Sequence, residues 1–212
     1  MGKLNAEHMN FLADEAQSLL RFAFGSVMKS GGFGYMDTEG KVDTSKPLEC
    51  YLQARKIQVF GLSHQMGYGD YNEYVEHGVK SLNTIFRDRE HGGFYNAVNQ
   101  DHSPASDRKF AYDQMFVLLA ATTAVEVGVE GAQELFEYAE SIIEKYYWDE
   151  DFSMMKNDWD QEFSSVDSYR GINANMHAVE ALTAAYEATG RVIFRDRAFN
   201  ICKRAVDEFA RG

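Results

Sequence analysis

Apolar side chains recur along this chain at helical spacing, in two alternating styles. From about Asn5 to Met28, Phe11, Leu12, Leu19, Leu20, Ala23 and Val27 make one stripe on an otherwise polar surface, which predicts an amphipathic helix. The segment after Pro47, LECYLQARKIQVFGLSHQM, predicts a second helix to about Met66. A third runs from Tyr71 to about Arg89, striped by Val75, Val79, Leu82 and Phe86. KFAYDQMFVLLAATTAVEVG predicts a fourth, Ala132 to Tyr147 a fifth, and Asn173 to Gly190 a sixth. The seventh spans Val192 to Phe209, with Phe194, Ala198, Ile201, Ala205 and Phe209 on one stripe. The fourth and sixth are apolar or small nearly all round, the pattern of a helix covered on every side. An all-α fold in two concentric layers follows, with half-wet outer helices around buried inner ones.

The pattern also repeats. Gly31-Gly32-Phe33 returns as Gly92-Gly93-Phe94 at a spacing of 61 residues, and WDEDFSMMKNDWDQEF is a looser third copy. A period of this length marks a helix pair. Links from inner to outer helices are short, at Gly67–Asp70, Gly128–Gly131 and Gly190, whereas outer-to-inner links are long and rich in Gly, Asp and aromatics. Loops beyond ~12–15 residues usually serve a function. All three long loops fall at one end, where the inner helices begin. A site is therefore expected there, walled by Arg55, Tyr112 and His177.

Charge and composition narrow the partners. A net charge of −12 over 212 residues argues against nucleic acid, which needs a basic footprint. No run reaches the length of a membrane span, and MGKLNAEHMN is not a signal peptide. Cys50 and Cys202 lie far apart without metal-ligand spacing. Two reduced, packed thiols and a cytoplasmic location are expected.

The candidate chemistry has bland alternatives. His177 sits one turn after Asn173, with Glu180 a further turn along; an inner-helix histidine is often a satisfied core residue. Arg55 in an apolar helix needs a partner, either an internal carboxylate such as Asp113 or Glu49, or a ligand. His177 and Glu180 make only half a metal site, so neither metal nor cofactor is expected. Trp159 and Trp148 suit either sugar stacking or loop packing. Asp149-Glu150-Asp151 reads as a solvated turn. No phosphate-binding glycine loop follows a predicted strand, and no Ser or Cys nucleophile sits in an elbow.

The run NANMHAVEA, the helix LQARKIQVF, the loop GGFYNAV and the helix around Tyr112 resemble the N-acylglucosamine 2-epimerase superfamily, within it the mannose and sulfoquinovose isomerases. The resemblance covers essentially the whole chain. It implies an (α/α)6-barrel fold, one barrel-like domain over 1–212, and aldose–ketose isomerisation of a monosaccharide through an enediol. It also implies roles: Arg55 contacts sugar oxygens and stabilises the enediol, Tyr51 lines the pocket, and Asn173, Met176 and His177 contact the sugar, with Tyr112 beside them. Members of that family continue through six more helices carrying two acid–base histidines, so this chain resembles half a toroid. A non-catalytic sugar-binding half-barrel is the alternative, and a helical protein-binding scaffold the third. Bare apolar edges, with Phe194, Ile201 and Phe209 unpartnered, are expected to drive a symmetric homodimer, unless the chain is the N-terminal part of a longer barrel.

Overall fold

The computed structural model describes residues 5–210, with seven α-helices among them: α1 (Ala6–Ala23), α2 (Cys50–Gln65), α3 (Asn72–Ser81), α4 (Ala111–Val127), α5 (Ala132–Ile142), α6 (Ile172–Thr189) and α7 (Val192–Arg204). The inner helices α2, α4 and α6 pack side by side, and α3, α5 and α7 pack behind them in turn. The alternation has a direct cause. Between Ala111 and Ala124 only Tyr112 of α4 reaches solvent, because that helix has a neighbour on both flanks and an outer layer behind. In α3, Val75 and Val79 turn inward and the opposite face stays polar. Gly128 and Gly190 end α4 and α6 in the left-handed region, at φ 78° and 68°, where a side chain is costly.

Element ends depart from the sequence reading in a regular way. Helix α1 stops at Ala23, and a 3-10 turn over Phe24–Ser26 follows, since Val27 pairs with Phe33 across the Gly31-Gly32 turn. Helices α3, α5 and α7 each close with one π-helical turn, Leu82–Phe86, Ile143–Tyr147 and Ala205–Phe209. The long loops, expected to be irregular, carry short antiparallel pairs. Strand β1 (Leu48–Glu49) pairs with β2 (Ala97–Val98), β3 (Arg108–Phe110) with β6 (Asp158–Asp160), and β4 (Trp148–Asp149) with β5 (Met154–Met155). Thus each loop is stitched to the next.

Two expectations about the surface need correction. Phe194 and Ile201 are both buried; Phe194 packs edge-on against Phe136 of α5, and α7 packs along the inner helix α6, the partner the sequence reading withheld. Phe209 is exposed, together with Phe199 and Val206. Helix α1 is barer than its stripe suggests: Leu20 is buried, but Phe11, Leu12 and Leu19 face solvent. Cys50 is buried as expected, whereas Cys202 is exposed rather than packed.

Candidate active site

The 61-residue period reaches into individual hydrogen bonds. Gln53, Gln114 and Asn175, one period apart and all buried, each sit on an inner helix and grip the loop before it. Gln53 accepts from the Phe33 N–H at 2.6 Å and donates to its carbonyl at 2.9 Å. Gln114 donates to the Phe94 carbonyl at 3.2 Å. Asn175 accepts from the Met155 N–H at 2.7 Å and donates back at 3.2 Å. A primary amide carries both donor and acceptor, so Gln53 and Asn175 each satisfy both backbone groups of a loop residue, whereas Gln114 meets the carbonyl alone and its Oε1 is buried without a partner.

Each loop also serves the preceding inner helix. Neither α2 nor α4 has a side-chain N-cap. Instead the Asn96 carbonyl accepts from the Cys50 N–H at 2.8 Å and the Asn157 carbonyl from the Ala111 N–H at 2.7 Å, again one period apart. One buried and one half-buried ion pair tighten the same loops. Lys109 donates to Asp88, and to the Gly92 and Gln161 carbonyls, at 2.6–2.7 Å. Arg170 donates to Asp149 at 2.7 Å. Asp149 is therefore not part of a solvated turn, unlike exposed Glu150 and Asp151. Burial works against the charge on Asp88, but bonds from Lys109 and the His91 and Glu90 backbone hold its carboxyl below the ordinary value. Asp149 behaves likewise, with Arg170 as the chief counterweight to burial.

This framework shapes a recess of about 320 Å³ at the N-terminal ends of the inner helices, at the small end of the ~300–1,000 Å³ usual for ligand sites. Tyr51, Tyr112 and Asn173 occupy equivalent positions on α2, α4 and α6 and all line it, with Asn96, Asn157, Phe110 and Asp113. One helical turn along lies a second layer, Arg55, Phe116 and His177, also one period apart. The Arg55 guanidinium stands 4.9 Å from the Phe116 ring centre, His177 lies 4.5 Å from it, and Tyr112 packs edge-on to His177 at 5.2 Å. Of the three residues expected to wall the site, Tyr112 lines the recess, whereas Arg55 and His177 stand beside Phe116 and are not among its lining residues. His177 Nδ1 faces Glu180 Oε2 at 3.0 Å.

The structure changes the reasoning about several residues. Arg55 is exposed and makes no ion pair with Asp113 or Glu49 among the described residues. The buried-charge argument for it therefore falls, and its place beside Phe116 carries it instead. Met176 is exposed on α6 and does not line the recess. Trp148 is buried under Arg197; Trp159 donates to the Tyr146 carbonyl at 3.1 Å and packs on Tyr146 and Phe163. Both tryptophans hold the third loop.

The sequence reading weighed Asp113 only as a partner for Arg55. It is a recess residue, 1% exposed, and burial pushes its carboxyl up to about 8 despite bonds from the Tyr51 backbone and the Asn96 side chain. Asn96, Asn157 and Phe116 were missed as well. The signal for them was the period itself, carried from the glycine pairs to every neighbouring position.

The chain matches the N-acylglucosamine 2-epimerase (GlcNAc 2-epimerase) family over residues 31–212. It is a member of that family. Among relatives of the epimerase-family chain, a D-mannose isomerase from Thermobifida fusca is 35% identical over 205 residues, which are 97% of this chain and 50% of the relative. A D-mannose isomerase from Pseudomonas cannabina pv. alisalensis is 32% identical, over 96% of this chain and 48% of its own. Among solved structures, a D-mannose isomerase superposes with a TM-score of 0.86 at 24% identity, over 96% of this chain and 54% of that one. The cellobiose 2-epimerase from Spirochaeta thermophila DSM 6192 gives 0.82 at 19% identity, over 94% and 54%. The epimerase-family chain therefore has an all-α fold of the (α/α)6-barrel type, and spans about half the length of the relatives it matches.

Proposed function

We propose that the recess binds a monosaccharide and that the chain serves aldose–ketose isomerisation or epimerisation at C2. The observation that carries this is the two-layer wall: Tyr51, Tyr112 and Asn173 round one recess, with Arg55, Phe116 and His177 a turn along, in a member of the epimerase family. Aromatic faces, amides and a guanidinium together suit a polyhydroxylated ring.

In the isomerisation a proton leaves C2 of the aldose as an enediol forms, and a proton returns at C1 while the hydroxyl proton passes between O2 and O1. Negative charge grows on the sugar oxygens in the transition state. Arg55 is the cation placed to meet it, and a fixed donor there is worth several kcal/mol, about 10²–10³-fold in rate. Asn173 orients hydroxyls from the first layer. His177, its Nδ1 held by Glu180, presents Nε2 as the remaining polar ring atom. We assign it ligand contact; the base that takes the C2 proton is not among the recess residues. The unpaired cysteines fit a reducing compartment, and we place the protein in the cytoplasm. The bare apolar faces of α1 and α7 are read as surfaces covered in a symmetric dimer.

Deuterium uptake at C2 from D2O tests the activity, with D-mannose and D-fructose as substrates. Exchange is expected. Saturable binding without exchange makes this a sugar-binding module, and absence of both ends the sugar reading.

A further inference from the structure

Asp113 stands where three parts of the wall meet. It occupies the first turn of α4, is 1% exposed and lines the recess. Its Oδ1 accepts from the Tyr51 backbone N–H at 3.2 Å, in the first turn of α2, where such groups have no partner inside the helix. The Asn96 side chain, from the second long loop, bonds to the same carboxyl. One side chain thus ties α4 to α2 and to the loop, and both tied residues face the recess.

The surroundings suit an uncharged group. Glu49, immediately before α2, faces Asp113 with like charge, and its Oε2 is buried without a hydrogen-bond partner. The other titratable groups against Asp113 are the Cys50 thiol and the Tyr147 hydroxyl. Burial, reinforced by Asp113 itself, pushes both well above their ordinary values. Burial and hydrogen bonding to Glu49 raise Tyr51 likewise, with the Glu49 bond the larger cause. None of these three loses its proton in the range where Asp113 does. Among the described residues, no cation appears among the groups acting on Asp113.

We propose that Asp113 is a positioning residue that works as a neutral carboxylic acid, latching Tyr51 and Asn96 into the sugar-binding wall, so that loss of its proton loosens the wall and weakens monosaccharide binding. An ionised carboxylate at this place is a buried charge facing Glu49, and it must draw water inward to be solvated. The way in is the recess, where the ligand sits. Its carboxyl titrates at about 8, so the latch is closed at neutral pH and opens in mild alkali. This proposal rests on the sugar-binding reading for its ligand, though not for the latch.

Two measurements on the full chain separate those parts. In sugar-free protein, the Asp113 carboxyl carbon and the Tyr51 and Asn96 amide signals should titrate together by NMR, with a midpoint near 8. A carboxyl midpoint in the ordinary carboxylate range, or amides that do not follow it, overturns the latch. In titrations with D-mannose, affinity should fall about tenfold between pH 7 and pH 9, as binding restricted to the protonated form requires. D113N keeps an acceptor oxygen without the charge and should abolish that fall, whereas D113L should bind weakly at every pH. Affinity independent of pH in the wild type overturns the proposal. A normal latch titration with no mannose binding at any pH condemns the sugar reading and leaves the latch standing.

Discussion

At the residue scale the contrast between two arginines separates chemistry from stability. Arg55 is exposed and leans on Phe116, so R55A should change unfolding stability by no more than ~0.5 kcal/mol, as most surface changes do. Exchange at C2 should fall by about 10²-fold or more. Arg197 is buried, paired with Glu144 and stacked on Trp148. Glu144 is exposed, so alanine at Arg197 chiefly removes packing on Trp148 and should lower stability by roughly 1–3 kcal/mol. Chemical denaturation beside exchange kinetics decides it: if R55A unfolds as easily as R197A, Arg55 is structural. Helix phase and loop length made Tyr112 legible as a recess residue, but not that Arg55 and His177 stand a turn beyond the lining. Exposure was not legible either, since an inner helix looks equally apolar whether its end is covered or opens on a recess.

At the element scale, the three amide grips and two ion pairs make the long loops rigid parts of the wall. In Q114L the Phe94 carbonyl loses its partner, and an unsatisfied buried acceptor costs ~1–3 kcal/mol. Hydrogen exchange should quicken across residues 87–107 and not across 148–171. Acid acts on both loops. Asp88 and Asp149 have carboxyls held below 3.8, so their stabilisation is present above that value and is lost as pH falls through the lowered one. Exchange in both loops should accelerate together below about pH 3.8. Uniform exchange along the chain in acid would show that the pairs tie nothing locally. These ties escaped the sequence reading because a period of 61 was traced through glycines, while the groups that use it are amides and charges twenty residues away.

At the scale of the whole molecule, the apolar surface is uneven. Phe11 and Leu19 on α1, and Phe199, Val206 and Phe209 at the other end of the chain, are each more than half exposed. Contiguous apolar patches above ~300–600 Å² are rare on soluble monomers. Light scattering at micromolar concentration should therefore show a dimer. F199S with F209S should return it to monomers without loss of helicity, and a monodisperse wild-type monomer ends the dimer idea. The two-layer architecture was legible almost entirely, helix by helix, because amphipathic and fully apolar segments alternate. Which apolar residues find cover was less so: Phe194 and Ile201 are both buried, Phe194 against Phe136 of α5, on a helix that packs along the inner helix α6, and tertiary pairing of that kind leaves no mark in a single stripe.

The short links have a practical use. They lie at the far end of the inner helices from the recess, and α4 alone, at 17 residues, sets about 25 Å between the two ends. Glu130, exposed in the link between α4 and α5, is a natural handle. With exposed Cys202 changed to serine and Cys50 left buried, E130C provides one addressable thiol. A sensor film or electrode coupled there would hold every molecule with its mouth toward the solution.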